Sequence, residues 1–182
     1  MMKRMTKCLL LGLFLCVLAG CGKKNDELTT YKTNMETFCA NVEAIGQRID
    51  AIDTTSESST TEFLGLMDQL SEQFSKMAAL PVPDRFSAAS DLAIEASENM
   101  SNAVTYYHQA YEGETFSQNY AEAANEYYSR ANERLQYVLQ ILHGEDVTQM
   151  DLSFDDEIID PAAALEEDGF YEEETSTETI SE

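Results

Sequence analysis

Few side chains in this sequence are placed to do chemistry, and the most reactive of them has an unusual setting. Cys21 closes the run Leu18-Ala19-Gly20-Cys21, directly after an uncharged stretch from Cys8 to Gly20. A thiol is the most nucleophilic of the ordinary side chains. The small Ala19 and Gly20 let a protease approach the backbone beside it. The other candidates are weaker. His108 has Glu112 four residues on, and His143 ends a periodic apolar segment. Carboxylate-bridged di-iron bundles use Glu-x-x-His, but the residues three before these histidines are Thr105 and Gln140. Met100 and His108 belong to different helical faces, so a thioether–imidazole copper site is not expected. Gly-x-Ser-x-Gly, His-Glu-x-x-His and a glycine-rich loop before a helix are missing. The expectation is a non-catalytic protein with no metal ligands and no cofactor.

The stretch before Cys21 has the layout of an export leader. Lys3, Arg4 and Lys7 give a positive start, and the 13 uncharged residues that follow are too few for the roughly 20 that span a bilayer. A plain secretory leader or a short uncleaved anchor shares some of these features. With the small residues and the cysteine added, Leu18-Ala19-Gly20-Cys21 resembles the lipobox of bacterial lipoproteins. That resemblance covers only the first twenty or so residues. It implies diacylglyceryl transfer to the Cys21 thiol and cleavage between Gly20 and Cys21. It further implies a chain anchored by lipid on the extracytoplasmic face of the cell membrane. Acyl chains contribute about 0.8 kcal/mol per buried methylene, so several chains hold firmly. Cleavage would remove Lys3, Arg4 and Lys7 but no acidic residue. It would also leave Cys39 as the one cysteine not lipidated, so no disulfide within the chain is expected. Cys39 falls on an apolar helical face and reads as a packed structural thiol.

The tyrosines form a third group. Seven of the nine lie between Tyr106 and Tyr137, including the doublets Tyr106-Tyr107 and Tyr127-Tyr128. In each doublet one ring faces the apolar seam and the other, Tyr106 or Tyr128, flanks it. Rings filling space over alanines are the favoured reading. Flanking rings that bind a sugar or a partner helix are the alternative.

Four helices must position these residues. In the first segment Leu28, Tyr31, Met35, Phe38, Val42, Ile45, Ile49 and Ile52 alternate steps of three and four, a coiled-coil-like seam interrupted only by Gly46. After "TTSESST", Ser59 and Glu62 have capping-box spacing. Phe63, Met67, Leu70, Phe74 and Met77 then continue the pattern to "LPVPD". The third segment starts near Asp84 and repeats through Phe86, Ala89, Ala93, Ala96, Met100, Ala103, Tyr107 and Ala110. Thr115 and Gln118 suggest a second capping box. The fourth segment carries Phe116, Tyr120, Ala124, Tyr127, Ala131, Leu135, Val138 and Leu142. His143 and Gly144 make a helix stop. The first, third and fourth helices are expected near 28 residues and about 42 Å, the second shorter. Alanine on the third and fourth predicts close packing of that pair. Glu72–Lys76 and Glu126–Arg130–Arg134 read as solvent-facing ladders.

The expected organisation is all-α, an up-down-up-down four-helix bundle over 26–144. A signal peptide occupies 1–20, and 21–25 hold the lipidated cysteine and a short linker. A largely disordered acidic tail fills 145–182. Lys23 and Lys24 would sit against anionic headgroups, favourable by about 1 kcal/mol each. The tail has 15 acidic residues and no Lys or Arg, a composition that cannot readily offset its ordering entropy. Within it "DPAAALEEDG" reads as a short island of order, and Phe154, Ile158, Ile159 and Phe170 as means of docking it. The formal charge of −23 repels nucleic acid, so a nucleic-acid partner is not expected. The partners expected are the membrane, through the lipid, and an envelope protein or wall component. A surface bundle binding a small ligand, a glycan or a metal is the competing reading.

Overall fold

The structure is a computed structural model that describes residues 26–146 and Pro161. Among these residues it is all-helical, with four long helices: α1 (Asp26–Asp50), α2 (Ser59–Ala78), α3 (Ala88–Tyr111) and α4 (Gln118–His143). The expectations for the leader, for Cys21 with its linker and for the acidic tail lie outside the described residues, except at Glu145 and Asp146, which are exposed, and at Pro161, which is buried in a turn.

Consecutive helices pack against each other and run antiparallel. Asn41 meets Gln73 while Arg48, further along α1, meets Gln69, earlier in α2. Phe63 near the start of α2 packs on Tyr107 and Tyr111 near the end of α3. Tyr106 late in α3 meets Tyr120 early in α4, whereas Glu95 early in α3 meets Arg134 late in α4. Tyr31 of α1 packs at a tilt against Phe86, just ahead of α3, with ring centroids 6.1 Å apart. The start of α1, the start of α3 and the end of α4 therefore share one end of the bundle.

The core follows the heptad seams closely. All eight seam positions expected for the third segment, Phe86 just ahead of α3 and Ala89 to Ala110 on it, are buried. On α2 Leu64 and Leu66 join the seam residues, and on α4 Ala121, Ala123 and Ile141 do. The α3–α4 pair is the most closely apposed. Ala89, Ala96, Ala103, Ala110, Ala124 and Ala131 are all at 0% exposure. With only methyl groups between them, backbones can approach the 8 Å limit of helix packing. The α1–α2 contact is built differently, from large rings such as Phe38 on Phe74, edge to face at 5.4 Å.

Several local expectations are corrected. α1, α3 and α4 have 25, 24 and 26 residues, not 28, and so span about 36–39 Å. α1 stops before Ile52 because the loop has its own bonding: Asp53 Oδ1 accepts from the Thr55 amide at 3.0 Å and its hydroxyl at 2.7 Å. Residues Asp84–Phe86 form a 3-10 turn after Pro83 and are not the first turn of α3. Neither capping box forms. Ser59 lies inside α2, and its neighbours Ser56 and Ser58 bond each other in the turn. The amide of Ser117 donates to the Ala110 carbonyl, which delays α4 to Gln118, whose side chain reaches forward to Glu122. The stop at Gly144 is as expected. Its φ of 89° is left-handed, its amide donates to Ile141 and the next amide to Gln140, a Schellman closure.

Two stability changes should follow. Ala96→Leu forces a larger side chain into the α3–α4 contact and should destabilise by about 2 kcal/mol or more in denaturant unfolding. Gly144→Ala places a Cβ on a left-handed residue and should lower stability by about 1 kcal/mol.

Candidate functional site

The α3–α4 pair carries most of the residues that sequence reasoning singled out. Tyr107 is buried, donates its hydroxyl to Asn125 Oδ1 at 2.8 Å, and stands edge-on to Phe63 at 5.2 Å. Burial, then the nearby Tyr128 and Tyr111 hydroxyls, push its pKa well above that of an ordinary phenol. Tyr106, the other member of its doublet, is partly buried and stacks on Tyr120 at 6.0 Å and on Tyr127 at 5.5 Å. Tyr128 is also partly buried and packs against the core. Successive residues of a helix point about 100° apart, so Tyr127 and Tyr128 serve different flanks of α4. Tyr106 lies on the Tyr127 flank, while Tyr107 lies on the flank of Asn125 and Tyr128. The two candidate binding rings, Tyr106 and Tyr128, are thus divided between flanks of the contact.

An aromatic group closes the end of the bundle away from the start of α1. Phe63, Tyr111 and Phe116 pack in sequence, with Tyr111–Phe116 centroids at 5.1 Å. Phe116, expected on the α4 seam, is instead 56% exposed because α4 begins after it. Glu112 and Glu114 flank it in the loop, so the tip is both aromatic and acidic.

Charged side chains link helices in ways the sequence pattern did not reveal. His108 bridges α2 and α3, with Nε2 3.0 Å from Asp68 Oδ1 and Nδ1 2.9 Å from Glu112 Oε1. The i,i+4 spacing to Glu112 was legible, but the partner forty residues away was not. Partial burial acts to lower the His108 pKa. Hydrogen bonds to Glu112 and Asp68, with their charges, outweigh it and raise the pKa overall. Both ring nitrogens face carboxylates, an arrangement that suits imidazolium. Among the described residues no three His, Cys, Asp or Glu side chains converge as metal ligands.

The Glu126–Arg130–Arg134 ladder is not solvent-facing. Arg130 is 8% and Arg134 1% exposed. Arg130 Nε lies 3.4 Å from Glu126 and its guanidinium 5.5 Å from the centre of the Tyr127 ring. Arg134 reaches Glu95 on α3 and Glu133, each at 3.4 Å. The long arginine stems fill space beside the alanine seam, which i,i+4 charge spacing alone does not disclose. Glu72–Lys76, in contrast, is an exposed pair at 2.7 Å.

Cys39 is a free, half-buried thiol. Burial, then the charge of Glu36, raises its pKa and leaves little thiolate. Cys21, Gly20, Lys23 and Lys24 lie outside the described residues. No helix among the described residues is long and apolar enough to cross a membrane. Comparison with protein-family models, curated proteins and solved structures finds no match to this chain.

The His108 bridge sets a pH dependence with a definite sign. A pKa raised on folding adds stability that is fully present below the unfolded value, about 6.5, and is lost as pH rises through the folded value. The wild-type advantage over His108→Gln in thermal unfolding should therefore be largest near pH 6. It should shrink toward pH 8, and it should be small because the pair is screened by solvent.

Proposed function

We propose that this protein is a lipid-anchored, extracytoplasmic lipoprotein that acts by binding, not by catalysis, at the cell envelope. In this reading Cys21 carries the lipid and the leader ends at Gly20. An up-down-up-down four-helix bundle then stands on a tether of a few residues, and the acidic tail follows it. The observation that carries the reading is the coincidence of positive start, 13-residue apolar run, small residues and Cys21 immediately ahead of α1, which starts at Asp26.

The bundle geometry supports a consistent orientation. The start of α1 and the end of α4 share one end, so Lys23 and Lys24 would lie at the headgroups and the Phe63–Tyr111–Phe116 tip would face outward. The acidic surface favours an envelope partner with a basic patch, and disfavours nucleic acid. A second reading, a glycan-binding bundle, draws on the exposed Phe116 ring, since sugar rings stack on exposed aromatics.

Mass spectrometry of the native amino terminus tests the address. A chain beginning at diacylglyceryl-Cys21 is expected, and Cys21→Ala should move the protein out of the membrane fraction. An intact Met1 with an unmodified Cys21 would overturn the reading. Phe116→Ala should leave helicity unchanged, and under the glycan reading it should lower retention on wall material at least several-fold. Unchanged retention rejects that second reading.

A further inference from the structure

Cations are scarce in this chain, 11 against 34 acidic residues, and most of those among the described residues have a partner. Lys76 pairs with Glu72, Arg48 donates to Gln69, and Arg130 and Arg134 reach glutamates. Lys32 and Arg85 differ. Among the described residues neither has a carboxylate within 4 Å, although Glu36 lies one turn on from Lys32 and Asp84 directly precedes Arg85. What the two share is Phe86. The Tyr31–Phe86 contact brings the second turn of α1 against the 3-10 turn ahead of α3. Lys32 Nζ sits 5.8 Å from the centre of the Phe86 ring, and the Arg85 guanidinium 4.9 Å from it. A ring face attracts cations but leaves their charge uncompensated. Burial does not force this arrangement, because Arg85 is exposed and Lys32 partly so. Two like charges gathered on one ring make an anion-receptive spot on an otherwise acidic body.

The place of this spot in the fold identifies the anion. The start of α1 and the start of α3 share the end of the bundle from which the proposed lipid tether leaves. Lys32 lies about 9 Å along α1 from Asp26. Successive helix residues point about 100° apart, so Asp26 and Glu27 are turned about 120° and about 140° round the helix from Lys32. The first-turn carboxylates and the cation therefore face different ways. The amino-terminal end of α3 adds partial positive charge beside Arg85, since the Ser87 side chain does not cap it.

We propose that Lys32 and Arg85 contact the phosphates of anionic lipids in the membrane that carries the anchor, so that the bundle leans onto that side of its base. This contact rests on the lipid-anchor reading but uses neither Lys23 nor Lys24. The occupant is the lipid surface because charge complementarity and nearness to the tether coincide. A tethered chain also meets those headgroups at high effective concentration. A single tether lets the bundle turn about its own axis. The second contact removes that freedom and fixes which face of the bundle meets a partner.

Chemical footprinting of the native chain in lipid nanodiscs tests the proposal, with phenylglyoxal for arginine and a neutral acetylating ester for lysine. Discs of phosphatidylcholine alone are compared with discs that also contain phosphatidylglycerol. Modification of Lys32 and Arg85 should slow at least about threefold in the phosphatidylglycerol discs. Arg48, about 24 Å further along α1 than Lys32, should be modified at the same rate in both. Unchanged rates at Lys32 and Arg85 in a chain that enters the discs would overturn the proposal and leave the anchor standing. A chain that stays out of the discs overturns the anchor and this contact together. Slowing that reaches Arg48 equally would be a general effect of lipid charge, and would also overturn it. Protection by inorganic phosphate in phosphatidylcholine discs would assign the pair to a free anion, and so would overturn the lipid contact.

Discussion

The bundle depends on how closely α3 and α4 approach. Alanine methyls at positions such as Ala96, Ala103, Ala124 and Ala131 are the smallest side chains that still fill a helix interface, and all are fully buried. This spacing leaves little freedom to adjust, because an added methylene has no void to enter. It also explains the tyrosines. No aromatic ring fits between two backbones at that distance, so Tyr106, Tyr120 and Tyr127 stack on one flank, while Tyr107 stands edge-on to Phe63 on the other. α1 and α2 contribute Met35, Phe38, Met67, Phe74 and Met77 to the same buried cluster. Methionine tolerates small shifts that alanine contacts do not. The molecule is thus a tight hairpin covered by a more adaptable one.

Seams were the most legible feature of the sequence. Every expected α3 position is buried, because a seam between two close helices allows no alternative face. Helix ends were less legible. Capping boxes were read from Ser59–Glu62 and Thr115–Gln118, but the Ser56 and Ser58 hydroxyls bond each other and the Ser117 amide bonds back to Ala110 of α3. Gly144 was read correctly because its left-handed backbone favours one residue type. The arginines were misread for a different reason. Local spacing reports neighbours on the same helix, whereas Arg134 is placed by Glu95 and by packing across the α3–α4 contact. His108 and Asp68 likewise meet only through the tertiary fold. Of the candidate site, the aromatic inventory was visible, but not the division of Tyr106 from Tyr128.

Charge is distributed in layers. The exterior is dominated by carboxylates, and few cations offset them. Arg130 and Arg134 are drawn inward, where solvent screening is weaker and each opposite charge counts for more. A protein with this much surface repulsion gains from holding its cations where they can act on several carboxylates at once. Lys76, paired with Glu72 in water, does far less for the same formal charge.

Placing the beginning of α1 and the finish of α4 together has a mechanical result. Any attachment near Asp26 holds the bundle as a lever fixed at its base, with Phe116 at the far extremity. Over a length of about 38 Å, a rocking of about 10° sweeps that extremity through about 7 Å. The aromatic ring would thereby sample a cap of space without any helix bending.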